Sequence, residues 1–500
     1  MTTPTAPALL RPALLAACAL LAACSVGPDY RSPDLPPAAS YGADATAPVS
    51  ALGEARREDQ LKSGMDIPAQ WWGVFHCAEL DALVAATLAN NPNLDAAKAS
   101  LRAAHEFVLA QQGAYYPQVS ASVQPTRQKF AQNLASPLAS GASIFNLTTT
   151  QVSVSYTPDL FGGNARAVES LVAQEEQQRF ELEAVRLTLA TNAVLAALTD
   201  AMLRQQIEDT KAIILDQRAV LASYKQQSRL GQASPADMAA QEALLAQAEG
   251  AMPPLEKLFR INRDLLAALQ GRTPGEPYDV RFSFASIAMP EQLPLSLPAE
   301  LVRHRPDVRI AEEQLHAACA QIGVAVAARW PSLSIDAGVG TAALALVPEF
   351  GAATQFASIA ATLTQPIFDG GTLRHRQRAA EALFDQAAAL YRATVIGAFQ
   401  NTADVLHALW TDTDALHDAE AAEVAARTSL AIARKQLALG DVTKLVVIAD
   451  EQAADQARVA LLLARGNRFA DVVALFQALG GGWWNRDEPA TAGGSEHTAP

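Results

Sequence analysis

The chain has 500 residues, half of them apolar, with 18% charged against roughly 25% in an average soluble protein, and a formal net charge of −14. That charge excludes a phosphate-binding face built on surplus Lys and Arg, so no nucleic-acid partner is expected. Aromatics are sparse at 6% and alanine dominates the middle sections, which predicts long, closely packed helices more than a mixed globular enzyme. After the N-terminus there is no uninterrupted run of about 20 apolar residues, so membrane residence would require a β-barrel, a lipid anchor or both.

Residues 1–23 carry one basic residue, Arg11, then the apolar stretch 13–23 and no acidic residue, the layout of an export signal. The stretch ends in Leu21-Ala22-Ala23-Cys24, which resembles the lipobox of bacterial lipoproteins and makes Cys24 the expected acylated N-terminus. Ser25 is not Asp, so by the same resemblance the sorting destination is the outer membrane. Cys18 leaves with the signal, and Cys77 and Cys319 have no metal-ligand spacing; they are expected to be buried small hydrophobes or a pair. Residues 24–78 form the anchor and an extended segment rich in Pro, Ala and Ser.

From there the chain is written twice. Asn91-Pro92-Asn93-Leu94 matches Arg305-Pro306-Asp307-Val308, and in each copy the next proline of the pattern, Pro117 or Pro331, lies 25 residues on. Pro158 to Gly163 matches Pro366 to Gly371. Leu230-Gly231 and Leu439-Gly440 follow at 68 and 69 residues, and Gly271 and Gly480 follow each of those by 40. The first repeat is placed at 79–271 and the second at 299–483, joined by a connector at 272–298 with five prolines. Residues 484–500 are expected to be a disordered tail.

Each repeat predicts a helix (about 79–115 and 299–329) ended by proline, then two strands around a loop, then a long helical hairpin. Val152, Val154 and Tyr156 alternate with Ser153 and Ser155; Leu333, Ile335, Ala337 and Val339 alternate with Ser332, Ser334, Asp336 and Gly338. Period-two alternation gives one polar and one apolar face, as a barrel with a wet lumen needs, although a half-buried soluble sheet has the same pattern. Losing residues 152–156 is expected to open a barrel edge. After each Gly-Gly comes a proline-free stretch of nearly 70 residues, roughly 100 Å as one helix. In the last return helix Ala449, Ala453, Gln456, Ala460, Leu463, Asn467, Ala470 and Ala474 recur at steps of four and three, the spacing of close helix packing.

Trp71-Trp72-Gly73-Val74-Phe75, Asn90-Asn91-Pro92, Leu301 to Arg309, Pro366 to Gly371 and Ala478 to Trp483 together resemble the TolC-like outer-membrane efflux family, specifically its lipid-anchored NodT-like branch, over roughly 24–483. His76-Cys77-Ala78 departs from the family's usual acidic-proline pair. The resemblance implies a mainly α fold with a transmembrane β-barrel: a homotrimer whose 12 strands form one barrel continued by a periplasmic α-barrel. It implies a passive exit duct for small toxic compounds, driven by an inner-membrane efflux pump through a periplasmic adaptor, with no cofactor and no catalysis. Export of a polypeptide by an ATP-powered transporter, a poreless coiled-coil scaffold and a periplasmic enzyme are the competing functions.

No HExxH, GxSxG or GxxxxGK[ST] arrangement occurs, and the acidic pairs Glu312-Glu313 and Asp412/Asp414 are expected to be solvated faces. Arg374, Arg376 and Arg378 open a long helix, where the dipole disfavours cations, so lipid headgroups or plain solvent are their alternative partners. By resemblance, Arg229-Leu230-Gly231 and Leu439-Gly440 are adaptor-contacting hairpin tips, the alternative being ordinary helix C-caps. The family places acidic residues just past these turns as a pore gate; Asp237 fits, whereas Val446 and Ala449 stand where acids recur and Asp450 lies one residue late. A gate charged mainly by Asp237 is therefore expected.

Overall fold

Proline placement and strand alternation set the element order seen in the computed structural model, which describes residues 26–33, 61–63, 65–129, 131, 142–276, 280–290, 292–295, 303–344 and 353–486. The signal segment, Cys24 and all of 34–60 lie outside the described residues. The elements are β1 (Leu61–Ser63), α1 (Ala78–Asn90), α2 (Pro92–Gln112), β2 (Gln118–Lys129), β3 (Ile144–Tyr156), α3 (Gly163–Arg229) and α4 (Pro235–Leu269). They continue with β4 (Leu293–Leu295), α5 (Pro306–Ala327), β5 (Ser332–Ala343), β6 (Gln355–Thr364), α6 (Thr372–Leu439) and α7 (Lys444–Ala478). The single helix expected over 79–115 is two. Pro92 lacks an N–H and opens α2, while Asn91 before it is extended (φ −75°, ψ 123°), as the residue preceding proline tends to be.

The chain divides into two compact units: 1–33, 100–178 and 310–392 make the first, 34–99, 179–309 and 393–500 the second. The first holds an antiparallel sheet of order β2-β3-β5-β6. Rows across it alternate in polarity: Val119, Val154, Ala337 and Ile359 share a row, and Ser120, Ser153, Gly338 and Ser358 the next. On the polar face Ser120 and Ser153 hydroxyls lie 2.9 Å apart, and the Ser155 hydroxyl donates to Asp336 at 2.7 Å. Both faces are therefore specified by period two in all four strands. Residues 152–156 sit in β3, an interior strand paired on both sides and not a sheet edge, because β5 of the second repeat docks beside it.

Below the sheet the helices follow the strand order. The Gln111 amide of α2 bonds Asn164 of α3 at 2.6 Å, and the start of α3 packs on the end of α5. There the Ser170 hydroxyl donates to Ala317 O and accepts from the Gln321 amide. The Phe161 and Trp330 rings stack at 5.3 Å. Residues 26–33 clasp this pair: Val26 N–H donates to Phe161 O, Asp29 pairs with Arg166 at 2.6 Å, and Tyr30 stacks on His316 at 4.2 Å. Burial pushes the Tyr30 phenol well up, with Glu312 and Glu313 adding to it. Glu313 pairs with His316 and is 12% exposed, so it is not the solvated face expected of it; α5 turns that side toward the clasp.

The second unit shows the duplication in its contacts. In the first repeat the Asn91 amide donates to Leu269 O at the end of α4; in the second, Arg305 donates to Ala478 O at the end of α7. The glycines that follow, Gly271 (φ 70°) and Gly480 (φ 94°), are left-handed, and a Cβ on either would collide with the carbonyl of Asn90 or His304. Trp71 is buried and stacks on Phe476 at 5.4 Å, and Phe469 takes Phe284 at 5.3 Å and Phe75 at 6.0 Å. Phe284 belongs to the connector 272–298, which is thus pinned by side chains, and Leu293–Leu295 pairs in parallel with Leu61–Ser63. Residues 484–486, expected within the disordered tail, are held by contacts, and 487–500 lie outside the described residues. Trp483–Asn485 form a 3₁₀ turn, Trp484 stacks on His304, and Arg486 grips the buried carboxylate of Glu183 with both guanidinium nitrogens. Cys77 and Cys319 are buried free thiols, not a pair, and burial raises both.

In α3 an 18-residue window reaches a mean hydropathy of 1.3, but 56% of it is buried. Leu189, Ala193, Val194 and Ala197 are part of the core, so the apolarity serves helix packing.

Candidate functional site: the hairpin tips and the channel wall

Each long helix reverses at a glycine that only a left-handed residue fits. Gly231 (φ 72°) donates to Ser228 O and Gln232 to Gln227 O at 2.8 Å; Gly440 (φ 85°) donates to Leu437 O and Asp441 to Gln436 O at 2.9 Å. Both are Schellman closures, so the C-cap role of these glycines is realised at each tip. The same turns leave Leu230 and Leu439 exposed, at 67% and 77%, with Arg229 closing α3. An exposed leucine at the apex of each of two hairpins has no packing role within the chain. The tips are neighbours: Lys444 at the start of α7 lies 5.0 Å from the Tyr224 ring of α3.

Asp237 is the third residue of α4 and closes a capping box. Ser234 N–H and its hydroxyl both donate to Asp237 Oδ2, at 3.1 and 2.8 Å, and Asp237 N–H donates back to Ser234 Oγ. Val446 is the corresponding third residue of α7, whose N-cap Thr443 makes no side-chain cap. The second hairpin thus lacks both the acid and its cap. Asp450 accepts from Ser429 at 3.3 Å, toward its own hairpin partner α6. Among the described residues no hydrogen bond or ion pair joins Asp237 to Asp450, and no cluster of His, Cys, Asp or Glu has the arrangement of a metal site.

A buried charged cluster went unseen in the sequence. Arg468 of α7 is 4% exposed, and burial pulls its guanidinium down against the pull of Asp471 and Asp412. Asp471 is pushed up to about 7 by burial and by its hydrogen bond to Asp412, the residue expected on a solvated face. Burial disfavours the charged form of Asp471, and the nearby Asp412 carboxyl, brought to it by α6 against α7, adds to that. A native pKa above the unfolded value means that folding binds a proton. Stability is therefore highest below about pH 4 for this group and falls as pH rises toward 7. We expect Asp471→Asn to flatten the fall in melting temperature between pH 5 and pH 8, measured in detergent against wild type. The only sequence signal was an Arg and an Asp at helical spacing inside the apolar stripe around Val472 and Val473.

Four amphipathic strands and duplicated helices of 67 and 68 residues define the class: an outer-membrane channel subunit. The match to known proteins gives the family. Residues 83–272 and 297–481 each match the outer membrane efflux protein family, one match per repeat, and the chain belongs to that family. It is an outer-membrane efflux channel and not an enzyme. The pyoverdine export outer membrane protein OpmQ of Pseudomonas aeruginosa is 27% identical over 94% of this chain and 96% of its own length. The toluene efflux pump outer membrane protein TtgC of Pseudomonas putida is 27% identical over 96% and 97%. The solved outer-membrane channel OprN superposes with a TM-score of 0.81 at 26% identity, covering 92% of this chain and all of the other.

Proposed function

We propose that three copies of this chain share one 12-stranded barrel and one helical conduit, forming the passive exit duct of a tripartite pump for small toxic compounds. The observation that carries this reading is the sheet with two open edges. Within the described residues β2 and β6 are each paired on one side alone, over 12 and 10 residues, and four strands cannot close a barrel. Pairing β6 of one copy with β2 of the next removes every edge. Hydrodynamic mass in detergent is expected to give a trimer, and a monomer without a lumen would reject the reading. Intact mass of the mature chain is expected to begin at a diacylated, N-acylated Cys24, in keeping with the NodT-like branch and with anchoring in the outer membrane.

Small solutes, not polypeptides, are favoured as cargo by the names of OpmQ and TtgC, one an exporter of pyoverdine and the other of toluene. The tips Arg229-Leu230-Gly231 and Leu439-Gly440 are the adaptor contacts, through which an inner-membrane pump drives the duct. Exposed leucines beside rigid caps support that assignment.

Asp237 is the gate residue of this reading, with Asp450 secondary. Three Asp237 carboxylates near one axis would attract cations, and the capping box holds each in a fixed place. Asp237→Asn is expected to lower cation selectivity and weaken multivalent-cation block in single-channel recordings. An unchanged reversal potential and block would put the gate elsewhere.

A further inference from the structure

The wall of long helices holds a groove away from the tips. Helix order in that wall follows from side-chain pairs within the second unit. Arg218 and Lys225 of α3 reach Glu249 and Glu242 of α4, Lys444 of α7 lies by the Tyr224 ring of α3, and Arg434 of α6 pairs with Glu451 of α7. The order is therefore α4-α3-α7-α6, with α3 flanked by a helix of each hairpin. Over α3, between α4 and α7, lies a groove of about 470 Å³, in the size range of small-molecule sites. Ile213 and the buried Gln217 supply its α3 side. Every lining residue belongs to one chain, so the groove exists without a neighbouring copy.

Small residues keep the groove open. Ala248 and Ala251 of α4 and Ala460 of α7 stand where larger side chains would close the gap, while Leu244, Val459 and Leu463 make its surface apolar. One acid enters this apolar surface. Asp455 lines the groove with its side chain 26% exposed, and its ion-pair partner Arg458 is 3.9 Å away and 44% exposed. Burial raises the Asp455 carboxyl, and Asp216 and Asp209 of α3 and Glu451 of α7 add to the rise against the pull of Arg458. Glu451 is already engaged by Arg434, and Asp209 accepts from the Gln205 amide. Three carboxylates and one guanidinium thus surround Asp455, and the local field is negative. The α4 side adds acceptors. Pro253 and Pro254 interrupt the helix just beyond Ala251 and carry no N–H, so the carbonyls of Glu249 and Gly250 lack the donors four residues on.

We propose that this groove binds a small organic ammonium ion, with its apolar body against Leu244, Val459 and Leu463 and its N–H groups on the Asp455 carboxylate. Charge complementarity selects this occupant. A neutral molecule would cover Asp455 without pairing it, and an anion would be repelled. The bound ion touches α3 and α4 of the first hairpin and α7 of the second, and so joins the two hairpins of one chain.

The test is equilibrium dialysis of the full-length protein in phosphatidylcholine nanodiscs, with empty nanodiscs subtracting partition into lipid. The probe is 1-naphthylmethylamine, and 1-naphthylmethanol is its uncharged isostere. Wild type is expected to bind the amine saturably, at least about tenfold tighter than the alcohol. Asp455→Asn is expected to weaken the amine at least about tenfold and to change the alcohol by less than about twofold. Ala460→Phe, which fills the groove, is expected to remove saturable binding of both compounds, while Ala460→Ser retains it; melting temperatures show that each variant is folded. Equal affinity for amine and alcohol, or an Asp455→Asn protein that binds like wild type, overturns the inference. Amine binding that survives Ala460→Phe places the ion on another acidic surface and also overturns it. No saturable binding in wild type means that the groove is filled in the assembly, and overturns it too. Hydrodynamic mass reads the trimer independently, so a monomer that binds the amine upholds this site while rejecting the shared conduit.

Discussion

Removing residues 152–156 is expected to abolish assembly in the outer membrane, with the chain recovered as a periplasmic or aggregated species and no heat-modifiable trimer. These residues hold the middle of the sheet. Val152 and Val154 pair with Ala121 and Val119 of β2 on one side and with Val339 and Ala337 of β5 on the other. Their loss removes four of the twelve β2–β3 pairs and five of the nine β3–β5 pairs, leaving unpaired backbone on both neighbouring strands. In a bilayer each unpaired backbone group costs several kcal/mol, so no partial barrel is tolerated. Outer-membrane fractionation with heat-modifiable electrophoresis checks this. A membrane-resident trimer from the deleted chain would mean that the strand pairing is dispensable.

Trp71→Ala is expected to lower stability by about 3–5 kcal/mol, the usual cost of emptying a large aromatic site in a packed core. Trp71 is 1% exposed, stacks on Phe476 and meets Trp72 edge-on at 5.9 Å. It therefore ties the segment before α1 to the end of α7, the two ends of the duplicated region. The loss is read as a lower denaturant midpoint for the second unit, with channel conductance unchanged in whatever trimer survives. A change below about 1 kcal/mol would mean that the site collapses around the smaller side chain.

How much was legible follows from the range of each signal. Alternation in 152–156 and 332–339 is local, and so are the proline and Gly-Gly stops. The strands, the long hairpins and their repetition could all be read from the sequence. The break at Pro92 was local too, but was masked by an otherwise continuous helical pattern. The turns at Gly231 and Gly440 were legible because a left-handed position accepts few residues other than glycine.

The sequence by itself determined the duplicated order of elements, the two polarities of β3 and β5 and the lengths of the long helices, since each is written in residues within a few turns of one another. Only the tertiary structure decided that β3 is interior and that Asp412 meets Asp471 beside Arg468. Those facts depend on contacts between residues far apart in the chain, where burial and neighbouring charge, not residue type, fix what a side chain does.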